Sequence, residues 1–251
     1  YIPKGNAGAG ATMETLMTTS ADEPFSAYGL IAESIEVPED RSWAQFTIRK
    51  EAKWHDGQPI TVDDVIWSLN TLKEFGHPFY RFYYGDVSSA VKISSDTVKF
   101  EFSDNTNREL PLIVGQMPIL PKHYWDGKDF TLTTLEPPLS SGPYRIKNFE
   151  PGRFITLERV NDYWGINLPV NIGTNNFDNI RIDYYRDETV IREALKSGDI
   201  DYREENQAKA WALDYDTPAV AQGRLKKVNL RHYNPTGCLL YTSDAADDSL
   251  R

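Results

Sequence analysis

Apolar and polar positions recur at two spacings along the chain, one typical of strands and the other of helices. Over 43–49 apolar residues alternate with polar ones, which predicts a half-buried strand. From Thr61 onward apolar residues recur every three or four positions, with Asp64 in the first turn and Gly76 as a stop. The pattern therefore predicts a helix over about 61–75.

Two further stretches have the pattern of antiparallel hairpins. Strand-like segments at 91–93 and 98–102 flank a short polar turn. Strand-like segments at 144–149 and 154–160 flank a turn that contains Gly152. Each stretch predicts a pair of neighbouring antiparallel strands.

The last regular pattern is a strand, a helix and a second strand. The strands are predicted at 180–184 and 199–202 and the helix at 188–197, with Asp187 as its cap and Gly198 as its stop. Such a run is long enough for a parallel crossover. The helix residues expected to face inward are Val190, Ile191, Ala194 and Leu195. Together the elements predict an α/β fold with a mixed sheet, hairpins and flanking helices.

Composition and charge remove several functional classes. The chain has 251 residues with 27 basic and 37 acidic side chains, a formal net charge of −10 and one cysteine. An acidic chain is not expected to bind nucleic acid, because that requires clustered Lys and Arg. One cysteine can form neither an internal disulfide nor a cysteine-based zinc site. The mean hydropathy of −0.53 and the lack of long apolar runs exclude a spanning helix.

No pattern typical of catalysis stands out. The glycine-rich stretch 5–12 has P-loop-like spacing, but Ala11 stands where the phosphate-binding lysine belongs. His55 and Asp56 are adjacent, yet no other histidine has ligand-like spacing to them, so we predict no metal site. We also predict no catalytic residue and no cofactor. The aromatic residues, 12% of the chain, are expected either in the core or along a ligand cleft.

Several longer motifs resemble the signature of one protein family. The longest reads Lys53-Trp54-His55-Asp56-Gly57-Gln58-Pro59-Ile60-Thr61-Val62-Asp63-Asp64-Val65. It is similar to the signature of the family 5 extracellular solute-binding proteins, which serve ABC importers of oligopeptides, dipeptides and nickel. The other segments that carry the resemblance are 30–34, 43–49, 141–146, 158–165 and 194–201. The segments 76–80, 108–111 and 175–178 look closest to the branch that imports oligopeptides and microcin C-type peptides.

The resemblance implies a receptor rather than an enzyme. It implies a periplasmic binding protein-like fold of type II, in which two lobes close on a peptide held as an added strand. It also implies a protein that is periplasmic, or exported and membrane-tethered, and monomeric at full length. Such a protein delivers an oligopeptide to ABC permease subunits in the inner membrane, with its export signal outside this sequence. In relatives the segment corresponding to 13–17 lies along the ligand. We therefore expect the backbone of Thr15 and Leu16 to line the cleft, with Glu14 as a polar contact.

The extent of the resemblance gives an expected domain organisation. Residues 1–237 correspond to the first lobe only, with 31–135 as an inserted subdomain and 1–30 plus 136–237 as the main subdomain. Residues 238–251 resemble a translated sequencing adapter, and we expect a non-native tail there. Because the second lobe is expected to follow this region, we expect the first lobe alone to bind peptide weakly or not at all.

Two other functions stay open. The same fold serves receptors for a nickel chelate, heme or an oligosaccharide, and the aromatic content would suit a sugar. A more distant alternative is a carbohydrate-active enzyme, which needs two carboxylates across a cleft. Converting single carboxylates to amides would abolish the activity of an enzyme and would only weaken a receptor.

Overall fold

A computed structural model describes residues 9–20, 23, 26–104, 106–132 and 134–229. The predicted tail 238–251 and residues 5–8 of the glycine-rich stretch lie outside these residues. The chain divides into two compact units, the first formed by described residues up to 18 and from 27 to 205. The second is formed by described residues of 19–26 and from 206 onward. The division into subdomains at 31–135 stays a prediction.

Groups of strands and groups of helices follow one another along the chain. The strands are β1 (Met17–Thr19), β2 (Ala27–Gly29), β3 (Ala32–Glu36), β4 (Trp43–Ile48), β5 (Val87–Lys92), β6 (Thr97–Phe102), β7 (Tyr144–Glu150), β8 (Phe154–Arg159) and β9 (Asn179–Asp183). The helices are α1 (Ala9–Thr12), α2 (Val62–Phe75), α3 (Pro78–Tyr83), α4 (Leu110–Gly115), α5 (Lys122–Trp125), α6 (Glu188–Ser197), α7 (Ala208–Leu213) and α8 (Pro218–Ala221). No helix among the described residues has the length and apolar character needed to cross a membrane.

The main sheet of the first unit has the strand order β3-β4-β6-β5, and every pairing in it is antiparallel. Along β4 buried and partly exposed side chains alternate, which confirms the half-buried strand predicted at 43–49. Phe46 of β4 meets Phe100 of β6 edge to face, with ring centroids 5.7 Å apart. The hairpin predicted around 94–96 is confirmed by the pairing of β5 with β6.

Helix α2 begins at a capping box, as the sequence predicts. The Thr61 hydroxyl accepts from the Asp64 N–H at 3.3 Å, and the Asp64 carboxylate accepts from the Thr61 N–H at 2.8 Å. The second Asp64 oxygen accepts from the Lys122 N–H at 2.9 Å. One carboxylate therefore closes the helix start and fixes the beginning of α5.

Two helices end at glycine for different reasons. Gly198, after α6, has φ +88, the left-handed conformation that glycine adopts without strain. Gly76, after α2, has φ −72 and is not left-handed. A Cβ there would lie 2.4 Å from the Leu72 carbonyl oxygen. The predicted stop at Gly76 is confirmed, but its cause is close backbone approach.

The second sheet of the first unit has the order β7-β8-β9 and is also antiparallel. It confirms the hairpin predicted over 144–160, whereas the predicted parallel crossover is wrong. Residues 199–202 form no strand, because the Asp199 N–H closes the end of α6 on the Ala194 carbonyl at 2.8 Å. Val190 is also wrongly placed, since its side chain is 55% exposed on the solvent side of α6.

The described part of the second unit carries α7 and α8. Trp211 of α7 lies with its ring centroid 6.3 Å from that of Tyr215. The Lys227 ammonium donates to the Trp211 carbonyl at 2.6 Å and lies 4.9 Å above the indole ring. Lys227 is therefore held against α7 by a hydrogen bond and by its contact with the Trp211 ring.

Candidate functional site

The segment predicted to meet the ligand, 14–16, runs between α1 and β1 and is fixed by its main chain. The Glu14 N–H donates to the Ser141 hydroxyl at 3.3 Å, and the Glu14 carbonyl accepts from the Ile119 N–H at 3.1 Å. Next to it, Thr15 forms an isolated antiparallel bridge with Pro118. The segment is therefore supported by residues more than a hundred positions away in the sequence.

The Glu14 side chain points inward, where it meets an aromatic hydroxyl. Glu14 is 7% exposed, and its Oε1 accepts from the Tyr163 hydroxyl at 2.5 Å. The Asn171 amide donates to the same Tyr163 oxygen at 3.2 Å and to the Gly165 carbonyl at 2.9 Å. Burial raises the pKa of Glu14 to about 7, although the hydrogen bond from Tyr163 acts in the opposite direction. The carboxyl group therefore titrates near neutral pH.

Thr15 and Leu16 lie on either side of the boundary between surface and core. Thr15 is half-buried, and its carbonyl accepts from the Ile31 N–H at 3.2 Å. Leu16 is fully buried, and its carbonyl accepts from the N–H groups of Leu30 and Ala32. Both carbonyls are therefore engaged within the chain. That these two residues line a ligand cleft stays a prediction.

A serine-glycine pair holds the far side of the segment. The N–H groups of Ser141 and Gly142 both donate to the Thr12 carbonyl, at 3.2 and 2.9 Å. A Cβ on Gly142 would lie 2.7 Å from the Ala11 carbonyl oxygen. The Trp164 indole donates to the Ser141 carbonyl at 3.0 Å. Glycine is required at position 142 because its backbone lies directly against the backbone of residues 11–12, which leaves no room for a Cβ.

The long motif at 53–65 has a structural role. Trp54 is 1% exposed and packs edge-on against His123, which is within 2.8 Å of Asp56. The His55 Nε2 donates to the Gly142 carbonyl at 2.7 Å. Burial lowers the pKa of His55, and this hydrogen bond only partly opposes the effect. The motif thus braces the 140–142 turn from outside.

One small cavity borders these groups, and a second lies elsewhere in the first unit. The first has a volume of about 30 Å³, enough for about two water molecules. It is lined by Lys53, Trp54, His55, Gly57, Val160, Asp162, Tyr163 and Trp164. The second, about 190 Å³, lies at one end of the β7–β9 sheet, where Arg181 stacks 4.0 Å over the Phe154 ring. Both are smaller than the roughly 300 Å³ of ordinary ligand pockets.

A comparison with protein families places the chain. Residues 26–241 match the model described as "Bacterial extracellular solute-binding proteins, family 5 Middle". The chain belongs to the family 5 extracellular solute-binding proteins. The family named from the motifs is therefore confirmed, and the 53–65 signature in it is the braced turn and capped helix described above.

Curated relatives of this solute-binding chain are similar over most of its length. Protein y4wM of Sinorhizobium fredii is 47% identical over 90% of this chain and 35% of its own length. The Agrobacterium fabrum protein named "Probable peptide-binding protein YejA" is 40% identical over 91% of this chain and 39% of its own length. The "Peptidoglycan-binding protein YepA" of the same species is 43% identical over 89% and 38%. The chain thus spans little more than a third of the length of these relatives.

Solved structures give the same fold. The binding protein AgaA of A. tumefaciens R10, in complex with agropinic acid, is 27% identical with a TM-score of 0.70, over 83% of this chain and 40% of that one. The periplasmic oligopeptide-binding protein of Thermotoga maritima with mannohexaose bound is 24% identical with a TM-score of 0.66, over 84% and 40%. The predicted fold class, part of a periplasmic binding protein, is confirmed.

The sequence predicts the segment 14–16 as the ligand site but not the residues that support it. Tyr163 and Ser141 belong to motifs that carry the resemblance, but no role was predicted for either. Asn171 lies in none of the predicted elements or motifs. A buried carboxylate needs a hydrogen-bond donor. This requirement is the one signal that could have prompted a search for a partner such as Tyr163. Among the described residues no group of three or more His, Cys, Asp or Glu gathers as a metal ion requires.

Proposed function

We propose that this chain belongs to the substrate-binding receptor of an ABC importer, which captures oligopeptides in the periplasm and delivers them to a membrane permease. Membership of the solute-binding family supports the receptor role. The observation that carries the choice of ligand is the similarity to the A. fabrum protein named for peptide binding, 40% identical over 91% of this chain. We infer no catalytic role, because the carboxyl group at the candidate site is bonded to a tyrosine rather than opposed by a second carboxylate.

The proposed ligand-binding residues are Glu14, Thr15 and Leu16. No acceptor within the described residues takes the Thr15 N–H, which leaves it for a carbonyl group of a peptide. Leu16 is fully buried, so we propose that it contributes through its backbone and holds Thr15 in position from the core side. Glu14 offers a carboxyl oxygen beside them.

A narrower ligand class is favoured by a second relative. The A. fabrum protein named for peptidoglycan binding is 43% identical over 89% of this chain. Peptidoglycan carries short peptides, so a receptor for its fragments would still recognise peptide backbone. The second candidate function is therefore uptake of peptides derived from the cell wall.

A ligand panel tests the proposal through thermal unfolding of the chain. A ligand that binds the folded state raises Tm in proportion to the logarithm of its concentration, so weak binding is visible at about 10 mM ligand. We expect trialanine and the peptidoglycan stem tripeptide to raise Tm, and mannohexaose and nickel-histidine to leave it unchanged. A rise with mannohexaose alone would make the chain a sugar receptor and would overturn the proposal.

A further inference from the structure

The two carboxyl oxygens of Glu14 are in different situations. Oε1 faces the Tyr163 hydroxyl at 2.5 Å, and the oxygen of that hydroxyl already accepts the Asn171 amide at 3.2 Å. Because the tyrosine oxygen accepts a hydrogen bond from the Asn171 amide, the hydroxyl's own hydrogen is directed toward Glu14. Oε1 is thus an acceptor whether or not the carboxyl group is ionised.

Oε2 has no such partner. No group among the described residues donates to it, and it is absent from the fully buried polar atoms that lack a hydrogen bond in the described chain. Oε2 therefore keeps some contact with solvent, although the residue as a whole is 7% exposed. It does so on the residue that precedes Thr15, in the proposed ligand segment.

The surroundings of this carboxyl group hold little other charge. The main chain of Glu14 is bonded to the uncharged Ser141 hydroxyl and the Ile119 N–H. Tyr163 is a titratable group that contacts it, and burial together with the Glu14 charge keeps the pKa of Tyr163 well above its usual value. The ionisable residues Lys53, His55 and Asp162 line a cavity that Tyr163 also borders, and none of them hydrogen-bonds to Glu14.

Since Oε1 is an acceptor in both states, the titrating proton must reside on Oε2. We propose that Glu14 Oε2 is a polarity switch in the ligand site, donating a hydrogen bond when the carboxyl group is protonated and accepting one when it is ionised. The Tyr163 bond holds the side chain in place in both states. This inference rests on the proposed function, because it assumes that a ligand meets this segment. The protonated form suits a carbonyl or carboxylate of the ligand, and the ionised form suits an ammonium group.

Direct titration tests whether the Glu14 carboxyl group gains and loses its proton near neutral pH. In the chain labelled with ¹³C at glutamate carboxyl carbons, one resonance should titrate near pH 7 and should be absent from Glu14→Gln. In Tyr163→Phe the same resonance should titrate at higher pH, because the hydrogen bond that favours the ionised form is lost. Glu33→Gln, the same change at an exposed strand position, should leave it unmoved. Titration of Glu14 near 4.5, or no shift in Tyr163→Phe, would overturn the switch.

Peptide binding separates the switch from the function. Trilysine should bind about tenfold more tightly at about pH 8 than at about pH 6, as the ionised fraction of Glu14 rises, and triglutamate should show the reverse preference. Glu14→Gln should remove both dependences, and Glu33→Gln should keep them. Binding of both peptides without these pH dependences overturns the switch and leaves the receptor function standing. Since one lobe is expected to bind weakly, each peptide is titrated to about 10 mM, where millimolar affinity is still detected. Failure of every peptide to bind at this concentration at either pH overturns the proposed function, and the switch with it.

Discussion

Tyr163 donates a hydrogen bond of 2.5 Å to the carboxyl group of Glu14, although 149 positions separate the two residues in the sequence. The contact joins the loop after β8 to the segment before β1. Asn171 supports the same hydroxyl from the other side at 3.2 Å. The proposed ligand segment is thus held by a buried polar network, and such a network is costly to break once its members are out of water.

The buried carboxyl group should make stability depend on pH. The pKa of Glu14 is raised from 4.5 in the unfolded chain to about 7 in the folded one, so the folded state binds the proton more tightly. The stability from this group is fully present below pH 4.5 and is lost as pH rises through about 7. The loss is about 3 kcal/mol in the free energy of unfolding, to be measured by urea denaturation at several pH values.

Glu14→Gln isolates this contribution from that of other groups. His55 acts in the opposite direction, because burial lowers its pKa in the folded state. The difference in unfolding free energy between wild type and Glu14→Gln should therefore change with pH between 4.5 and 7, in favour of the wild type at the acid end. A constant difference would contradict the buried titrating carboxyl group.

Gly142→Ala should destabilise the chain by about 1 to 3 kcal/mol, because the added methyl group must displace backbone rather than a flexible side chain. Its Cβ would lie 2.7 Å from the Ala11 carbonyl oxygen and 2.8 Å from the Thr12 carbonyl carbon. Gly85→Ala is the matched control, since its Cβ meets its nearest atom at 3.1 Å. Chemical denaturation of both variants compares them, and equal losses would show that the Gly142 contact is not tight.

Ser68→Ala should remove about 1 to 3 kcal/mol from the free energy of unfolding. The buried Ser68 hydroxyl accepts from the Leu120 N–H at 2.8 Å and donates to the Asp64 carbonyl at 2.6 Å. Alanine leaves the Leu120 N–H buried without an acceptor. Ser88→Ala, at an exposed hydroxyl bonded to the Glu101 carbonyl, should cost less than about 0.5 kcal/mol. Similar losses in both variants would argue against the buried bond.

Thr61→Ala should destabilise α2 by about 1 kcal/mol, because the first-turn N–H of Asp64 loses its side-chain acceptor and keeps only the Thr61 carbonyl at 3.1 Å. Asp63→Ala changes a side chain of the same turn that is about half exposed and paired with Lys92 at 3.1 Å. Exposed ion pairs contribute little, so this control should stay within about 0.5 kcal/mol of wild type. Urea midpoints measure both effects. A larger loss for Asp63→Ala would contradict the capping box.

Elements whose cause is local could be predicted from the sequence. The cap at Thr61, the alternation in β4 and the turn at Gly152 each depend on neighbouring residues, and the structure has all three. The segment 199–202 has the alternation of a strand, but within the described part of the chain no strand lies beside it to pair with. Strand pairing is a long-range property that alternation alone does not determine.

The candidate site likewise has a part that the sequence indicates and a part that only tertiary contacts explain. The resemblance indicated Glu14 and the two residues after it, but it gave no reason for a carboxylate at that point. The reason is tertiary, since the Tyr163 hydroxyl and the Ser141 side chain reach Glu14 only in the folded chain. The raised pKa of Glu14 is likewise invisible in sequence spacing, because its main cause is burial in the folded chain.

The central claim is that this chain takes a peptide along 14–16, and backbone NMR tests it most directly. Titration of the ¹⁵N-labelled chain with trialanine to about 10 mM should shift the amide resonances of Thr15 and Leu16, even for millimolar affinity. Glu33, on an exposed strand position, should stay unmoved and serves as the internal control. Shifts at Thr15 and Leu16 with trialanine, and none with mannohexaose, are the predicted result. Unchanged Thr15 and Leu16 resonances at the highest peptide concentration would contradict the account.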